Sequence, residues 1–382
     1  MFTRILEKPS SSILLIGPRG TGKSTWIKTH FKGVVAYDLL DTAEALRFNR
    51  DPNRLYRETH GLARGSWVVI DEVQKAPALL DEVHRLIEEV GLKFVLSGSS
   101  ARKLKRGGTN LLAGRAVLKP FFTFVSEEVG FSLTDMRQVR FGMLPQAFAS
   151  TEPQEYLRTY ATTYLQEEIK SEALTRNIGA FSRFLEIAAR QNGQVTNVAG
   201  ISRDAQVARQ TVEGYFEILI DTLLGSWLPA WKLKRATKQI RHPKFYFFDS
   251  GVYRALSERL PYPPLEEEAG FLLETWLLNE LRAYLSYSGL NYPVHYWSSH
   301  DGVEVDFLIE TRHGFVALEV KSAPDWRGSY QRGLSRLRDE IGKGRVCCYG
   351  VYLGARAQEF DGILVLPALE FLKRLWDGGV VS

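Results

Sequence analysis

The sequence of 382 residues predicts an α/β protein built from successive segments of different character. In the N-terminal third, short apolar runs alternate with amphipathic helices, which is typical of a parallel sheet covered by helices. The middle is predominantly helical and ends in two strand-like runs. The C-terminal third has one long apolar helix followed by several runs of strand length. We therefore expect four segments, at 1–125, 126–175, 176–258 and 259–382.

The composition is that of a globular protein, with 45% hydrophobic and 24% charged residues. No run reaches the roughly 18 apolar residues that a membrane span needs. The N-terminal stretch lacks the long apolar core of a signal peptide. The two cysteines, Cys347 and Cys348, are adjacent and cannot form a disulfide framework or a four-ligand zinc site. These features predict a cytoplasmic protein that does not enter a membrane.

The positive charge of the chain is concentrated in its middle. The net charge is +5, and residues 176–245 contain eleven Lys and Arg against five Asp and Glu, or +6, so the remainder sums to −1. A basic segment suits an acidic partner such as nucleic acid. The alternative is a solvated basic face on an ordinary domain.

A phosphate-binding loop is predicted near the N-terminus, in "SILLIGPRGTGKST". Its spacing fits G-x-x-x-x-G-K-[ST], in which backbone N–H groups surround phosphate oxygens, the lysine reaches the β and γ phosphates, and the hydroxyl binds Mg²⁺. A strand precedes the loop and a helix follows it, as such a site requires. We expect ATP and Mg²⁺ to bind here, with contacts from Gly17, Pro18, Arg19, Gly20, Thr21, Gly22, Lys23, Ser24 and Thr25.

Two further strands are predicted to complete the ATP site. "SWVVIDEVQKAP" places Asp71 at the carboxyl end of a buried strand, where it can join Ser24 in holding Mg²⁺, and Glu72 is then placed to polarise water. "LKFVLSGSS" ends in Ser99 and Ser100, which suit a γ-phosphate contact or a plain polar turn.

An arginine finger is predicted at Arg115, in "LLAGRAVLKP". A neighbouring subunit would receive it, so this role requires a homo-oligomer. Arg102 and Arg106 are alternatives, as is an ordinary surface arginine at position 115.

The middle segment predicts one long helix, "PQEYLRTYATTYLQEEI", and then a helix-turn-helix unit. Asn192 and Gly193 end a first helix, Asn197 caps a short one, and a longer helix runs to Leu224. The start of the last helix would enter the DNA major groove and present Arg203, Gln206, Arg209 and Gln210. The basic loop between the two strand-like runs would form a wing over the DNA backbone, with contacts from Lys234, Arg235, Lys238 and Arg241. Such units also serve as protein-protein modules.

The C-terminal third places charged residues in elements that are otherwise suited to burial. Glu274 and Glu280 interrupt the long apolar helix. In "VEVDFLIETRHGFVALEVKS", Asp306 lies on one predicted strand, and Glu319 and Lys321 lie on the next. Because side chains alternate along a strand, Glu319 and Lys321 point to the same face.

The α-β-β-β-α-β order of this segment, with Asp306 and then Glu319-x-Lys321, resembles the core of the PD-(D/E)xK nuclease superfamily. The resemblance implies that Asp306 and Glu319 bind Mg²⁺, that Lys321 orients the attacking water, and that Glu274 completes the site.

The whole chain also resembles a bacterial and archaeal group in which an AAA-type P-loop ATPase domain precedes a winged helix and a nuclease-like domain of unknown function. The matching motifs, in order, are "GPRGTGKS", "VVIDEVQ", "LSGSS", "LLAGR", "KFYFFDSG", "GVEVDF" and "LEVKS". The resemblance implies an ATP-hydrolysing motor or switch that binds duplex or branched DNA, as a homo-oligomer for which a hexameric ring is one form. The alternative is an ATP-dependent regulatory or clamp protein whose nuclease-like domain binds DNA or protein without cutting.

Overall fold

A computed structural model describes residues 2–100, 114–132, 136–164, 177–232 and 242–382. The chain forms two compact units. The N-terminal unit comprises Thr3–Thr123 with Leu219–Leu224, and the C-terminal unit comprises mainly Phe124–Ile218 and Gly225–Ser382.

The N-terminal unit is built on a five-stranded parallel sheet, which confirms the predicted parallel architecture. Its strands lie in the order β2-β3-β4-β1-β5, so β4 separates the strand before the phosphate loop from the strand that ends in Asp71. The strand bounds are β1 Ile13–Ile16, β2 Val35–Asp38, β3 Trp67–Asp71, β4 Lys93–Gly98 and β5 Val117–Pro120.

Helices cover this sheet and bury its apolar residues. Their bounds are α1 Lys23–His30, α2 Thr42–Arg50, α3 Arg54–Thr59 and α4 Leu79–Glu89. The buried residues of α4 are Leu79, Leu80, Val83 and Leu86, whose i, i+1, i+4 and i+7 spacing places them on one helix face. They pack in one cluster with the β-branched and aromatic side chains of β3 and β4.

The predicted long helix in the middle of the chain is not continuous as an α-helix. It begins as α7 Pro153–Thr159 and passes into a π-helical turn, Tyr160–Tyr164. Residues 165–169 of the prediction lie outside the described residues. Sequence periodicity did not reveal the change, because a five-residue π-helical turn is too short for an apolar pattern to distinguish it from an α-helix. Two short helices precede it, α5 Arg137–Phe141 and α6 Pro145–Ala149.

Three helices follow as predicted for a helix-turn-helix unit: α8 Ile178–Arg190, α9 Val198–Ala205 and α10 Arg209–Asp221. Asn197 caps α9, because its side chain accepts a hydrogen bond from the backbone N–H of Gly200 at 3.0 Å. The last helix ends at Asp221 rather than at the predicted Leu224, and Leu223 already has a left-handed backbone, with φ of 61°.

The two strand-like runs that follow form an antiparallel hairpin of β6 Gly225–Leu228 and β7 Lys244–Phe247. The short helix α11 Ser250–Leu256 comes next, and then the 22-residue helix α12 Glu266–Tyr287. Among the helices that the structure describes, α12 included, none combines the length and apolar character needed to cross a membrane.

A six-stranded sheet in the order β12-β13-β11-β10-β9-β8 completes the C-terminal unit. β10 pairs antiparallel with β9 and parallel with β11. The three-residue β12 was not predicted, because a run this short carries no periodicity. The bounds are β8 Val294–Ser298, β9 Glu304–Thr311, β10 Gly314–Lys321, α13 Arg332–Ile341, β11 Val346–Tyr352, β12 Gln358–Phe360, β13 Ile363–Pro367 and α14 Ala368–Trp376.

The helix-turn-helix helices, the hairpin and the six-stranded sheet belong largely to one compact unit. The predicted boundaries at 126–175, 176–258 and 259–382 stay a prediction.

Candidate functional sites

The predicted phosphate loop joins the end of β1 to the start of α1, and its glycines are required by geometry. A Cβ at Gly17 would lie 2.2 Å from the carbonyl oxygen of Phe121, so no larger residue fits there. Gly20 and Gly22 have φ values of 81° and 94°, a region that other residues enter at a cost. The sequence thus gives the loop the tightly curved backbone that turns N–H groups toward a phosphate.

Lys23 is buried at the first position of α1, and its ammonium is held against the loop. Its Nζ donates to the carbonyl oxygens of Gly17 at 2.6 Å and of Pro18 at 3.0 Å. Arg4 stabilises the loop. Its guanidinium donates hydrogen bonds to the carbonyl oxygens of Thr21 at 2.7 Å and of Phe122 at 2.8 Å. Sequence reasoning missed Arg4, because a lone arginine near the start of a chain carries no motif.

Asp71 and Glu72 lie at the carboxyl edge of the same sheet, as predicted. Asp71 is buried at the end of β3 and accepts a hydrogen bond from the Ser97 hydroxyl of β4. Glu72 has a left-handed backbone with φ of 58°, which is uncommon outside glycine. Such strain is frequent where a side chain must be aimed at a functional site.

Two neighbouring side chains orient the Glu72 carboxylate by hydrogen bonding to it. Gln74 Nε2 and Ser99 Oγ both donate to Glu72 Oε2, the latter at 3.3 Å. Ser99 therefore contacts the predicted catalytic carboxylate, whereas Ser100 is buried beyond the end of β4. Sequence analysis missed Ser97 and Gln74, although both lie inside the quoted motifs and carry the polar groups that a buried carboxylate needs.

The donor set at this edge suits Mg²⁺. Carboxylate and hydroxyl oxygens are its preferred ligands, and Asp71 and Ser24 supply one of each beside the phosphate loop. Ser97 fixes the carboxylate of Asp71, as supporting residues commonly do for metal ligands.

Arg115 lies at the opposite edge of the sheet from the phosphate loop. Because β5 runs parallel to β1, with Val117 opposite Ile13, the residues just before β5 are at the amino edge. There Arg115 forms an ion pair with Glu88 near the end of α4. The finger role stays a prediction for a neighbouring subunit. Arg102 and Arg106 lie outside the described residues.

The predicted DNA-reading residues are divided between two helices and the turn that joins them. Arg203 lies in the last turn of α9 and Gln206 in the turn after it, with φ of 55°, so their predicted place at the start of the last helix is wrong. Only Arg209 and Gln210 open α10. All four are exposed, with Arg203 beside Asp204 and Arg209 beside Glu213. The four predicted wing residues Lys234, Arg235, Lys238 and Arg241 lie outside the described residues.

A second polar cluster is formed by the strands of the six-stranded sheet. Asp306 on β9 accepts the backbone N–H of Val320 at 2.7 Å, and Lys321 on β10 pairs with Glu319 at 2.5 Å. Glu319 and Lys321 therefore share a face, as their alternation predicts. Burial, and next the charge of Asp306, raise the pKa of Glu319 well above its usual range.

Helix α12 places Glu274 close enough to β9 for its carboxylate to interact electrostatically with Asp306. Its carboxylate is buried and accepts a hydrogen bond from the Tyr246 hydroxyl at 2.7 Å. Burial, and next Asp306, raise the pKa of Glu274 to about 8. Glu280, one and a half turns further on, points elsewhere and binds Ser126 and Trp376.

The hairpin strand β7 contributes two residues to this cluster that sequence analysis did not assign to it. Besides Tyr246, Lys244 is buried and its Nζ lies 2.9 Å from Glu304 Oε2. Burial lowers the pKa of Lys244. The carboxylates of Glu274, Asp306 and Glu304 raise it by more than burial lowers it, so the pKa lies above its usual value. The sequence feature that could have identified them is a lysine and a tyrosine two residues apart in an otherwise apolar strand.

The predicted Mg²⁺ ligands of this cluster, Asp306 and Glu319, are engaged by groups of the chain itself. In the ranges that the structure describes, no group of three or more His, Cys, Asp or Glu side chains is placed to hold one ion. Glu319 Oε1 is engaged by Lys321, and Glu319 Oε2 is buried with no hydrogen-bond partner. The carboxylates are of the right chemical type for Mg²⁺, but their present partners are groups of the chain itself.

Three family models match successive parts of the chain. They are an AAA domain over residues 9–130, a domain of unknown function (DUF8612) over 136–262, and a domain of unknown function (DUF4143) over 269–371. No helix-turn-helix or nuclease function is stated by these descriptions.

The chain is similar to two uncharacterized proteins, from Mycobacterium bovis and Mycobacterium tuberculosis. Each is 26% identical over 338 residues, which are 85% of this chain and 74% of the relative. Among solved structures, Aeropyrum pernix Orc1 in complex with DNA aligns over 66% of this chain and 87% of its own, with 14% identity and a TM-score of 0.26. We draw no conclusion from that distant likeness. The AAA domain match over residues 9–130, together with the phosphate loop on a parallel sheet, supports an AAA-type P-loop fold for the N-terminal unit.

Proposed function

We propose that this protein is an ATP-hydrolysing, DNA-binding motor or switch. The observation that carries the proposal is the joint arrangement of the phosphate loop, Asp71 and the strained, hydrogen-bonded Glu72 at one edge of a parallel sheet. An arrangement that only bound nucleotide would have no need to hold a carboxylate in a left-handed backbone.

In the proposed mechanism, each residue has a separate task. Loop N–H groups and the Lys23 ammonium bind the β and γ phosphates, so Lys23 exchanges its present carbonyl partners for phosphate oxygens. Ser24 and Asp71 would hold Mg²⁺, which would supply charge neutralisation to the phosphates when bound. Glu72, oriented by Gln74 and Ser99, aligns the attacking water and draws on its proton.

ATP hydrolysis by the purified full chain tests this proposal. We expect Mg²⁺-dependent turnover that falls about 100-fold or more in Lys23→Ala, because one preorganised cation is lost from the phosphates. Lys28→Ala, an exposed lysine on the same helix, is the matched control and should hydrolyse ATP at the wild-type rate. Equal turnover in Lys23→Ala and wild type would reject the proposed site.

DNA binding is supported by the excess positive charge of residues 176–245 and by the exposed Arg209 and Gln210 at the start of α10. The wing residues Lys234, Arg235, Lys238 and Arg241 would add contacts to phosphates. Such contacts release counterions, so we expect DNA affinity to fall steeply with salt. A shallow dependence would favour the protein-protein use of this unit.

The second candidate is a clamp, in which the C-terminal cluster holds DNA or protein without cutting. It is favoured over cleavage by the engagement of Lys244 and Lys321 with Glu304 and Glu319. Incubation of duplex, branched and single-stranded DNA with Mg²⁺ or Mn²⁺ distinguishes the two. Cleavage that disappears in Asp306→Ala and Lys321→Ala would make the protein a nuclease and reject the clamp.

A further inference from the structure

Lys244 is a buried lysine in a strand that sequence analysis assigned only to a wing hairpin. Its side chain is 7% exposed, and its Nζ lies 2.9 Å from Glu304 Oε2 at the start of β9. A buried ammonium is stable only when its charge is compensated by nearby groups. Glu304 and Asp306 of β9 and Glu274 of helix α12 supply that compensation.

The backbone around Lys244 fixes it in place. The Asn192 side chain accepts the backbone N–H of Phe247 at 2.8 Å and donates to Thr275 of α12 at 2.8 Å. Thr196 donates its N–H to the carbonyl oxygen of Pro243 at 3.0 Å. The ring of Tyr296 on β8 packs 5.1 Å from the Lys244 ammonium. Lys244 therefore belongs to a rigid part of the cluster and is not a surface side chain that has folded inward.

Each carboxylate of the cluster already has a partner from the chain. Lys244 forms an ion pair with Glu304, and Lys321 forms one with Glu319. The Tyr246 hydroxyl donates a hydrogen bond to Glu274, and the Val320 backbone N–H donates one to Asp306. One carboxylate oxygen differs: Glu319 Oε2 is buried and has no hydrogen bond within the part of the chain that the structure describes. A divalent cation at these carboxylates would have to compete with the Lys244 ammonium for the same negative charge.

We infer that Lys244 is the built-in counter-ion of the C-terminal carboxylate cluster and takes the place of a divalent cation there. This inference deepens the clamp form of the proposed function. It assigns to β7 a residue that keeps the cluster neutral and closed to metal. Removing the ammonium would leave Glu304 without its ion-pair partner and would take positive charge away from the nearby Glu274 and Asp306. With the buried Oε2 of Glu319, these oxygens would then form a site for a hard divalent cation.

Thermal unfolding of the nucleotide-free full chain tests the inference without reference to ATP or DNA, so its failure is separate from failure of the proposed function. Wild type is titrated with MgCl₂ or MnCl₂ at constant ionic strength, and we expect no specific rise in Tm. In Lys244→Met, loss of one partner of a buried ion pair should lower the Tm by about 10 °C, and Mn²⁺ should restore most of it. Lys232→Met, an exposed lysine after the same hairpin's first strand, should behave as wild type.

A double variant protects the test against simple misfolding. Lys244→Met with Glu304→Gln removes one cation and one anion, so it should be more stable than the single variant and should respond less to Mn²⁺. The inference is overturned if Mn²⁺ stabilises wild type as strongly as Lys244→Met, or if Lys244→Met keeps the wild-type Tm. It is also overturned if both variants fail to fold, because removal of the opposite charge would then have compensated nothing.

Discussion

At the scale of single residues, the ATP site depends on hydroxyl and amide groups that hold its carboxylates. Ser97 contacts Asp71, and Gln74 and Ser99 contact Glu72. The residues that match known motifs were predictable from the sequence because their spacing reflects the shape of a phosphate. The supporting residues were not, because any polar residue of suitable length can orient a carboxylate, and only the register of β3 against β4 selects Ser97.

Replacement of Ser97 tests the role of these supporting groups. Ser97→Ala removes the donor to Asp71 in a buried setting, so we expect about 1–3 kcal/mol less stability and a lower affinity for Mg²⁺. The apparent Mg²⁺ requirement of ATP hydrolysis should rise about tenfold or more. Ser11→Ala, an exposed serine beside β1, is the control. An unchanged Mg²⁺ requirement would show that Asp71 is positioned without Ser97.

At the scale of elements, helix α12 carries two buried glutamates with different purposes. Glu274 faces the polar cluster, whereas Glu280 accepts hydrogen bonds from the backbone N–H of Ser126 at 2.7 Å, from its hydroxyl at 2.6 Å, and from Trp376 Nε1 at 2.9 Å. The sequence showed both as interruptions of an apolar helix. It did not show which was structural, because that depends on which side of α12 meets α14 and which meets β10.

Glu280 contributes to the pH dependence of stability. Burial raises its pKa to about 7 from the ordinary value of 4.5, so the folded state binds the proton more tightly than the unfolded state. The resulting stability is fully present below pH 4.5 and is lost as the pH rises through 7, an effect of about 3 kcal/mol.

Glu280→Gln should remove this pH dependence, because the amide does not titrate. Calorimetry should find the variant clearly less stable than wild type near pH 5, since its NH₂ group opposes Trp376 Nε1–H. The difference should narrow by about 3 kcal/mol by pH 8. Glu267→Gln, exposed on the same helix, is the control. A constant difference across this range would show that Glu280 is charged in the folded protein throughout.

The three helices α8, α9 and α10 were predictable because caps and glycines mark their ends, but the assignment of side chains to the last helix was not. Gln206 adopts the left-handed conformation that ends α9, which moves Arg203 and Gln206 out of α10. A one-turn difference in where a helix begins is within the usual uncertainty of sequence patterns, yet it changes which residues lead into a groove.

Arg209→Ala should therefore weaken DNA binding more than Gln206→Ala does. If Arg209 contacts a phosphate, its loss should reduce affinity about equally for all sequences and lower the salt slope by about 1. Fluorescence anisotropy at several salt concentrations measures both quantities. An equal or larger effect of Gln206→Ala would contradict the assignment of α10 as the leading helix.

At the scale of the whole molecule, we predict an oligomer in which one subunit contributes Arg115 to the ATP site of its neighbour. Arg115 lies at the amino edge of the sheet, away from its own phosphate loop, and pairs with Glu88. That position is compatible with a finger offered to a neighbour. The sequence indicated the strands and their order along the chain, whereas assembly depends on surfaces that periodicity does not describe.

Mixing of inactive variants tests the shared site. Arg115→Ala should reduce ATP turnover about 1,000-fold or more if it stabilises the transition state in a neighbour. Mixing it with Lys23→Ala, which keeps Arg115, should restore part of the activity in mixed oligomers. Sedimentation should show assembly beyond the monomer. Near wild-type turnover in Arg115→Ala would show that Arg115 is an ordinary surface arginine and not a finger.

The most direct measurement of the central claim separates ATP binding from ATP hydrolysis at Glu72. In Glu72→Gln, the loop, Lys23 and Asp71 remain, so ATP should bind with wild-type affinity. Single-turnover hydrolysis should fall about 100-fold or more, because the group that draws on the water's proton is gone. Lys23→Ala should instead lose binding itself. Hydrolysis at the wild-type rate in Glu72→Gln would contradict the assignment of this site as the catalytic centre of an ATPase.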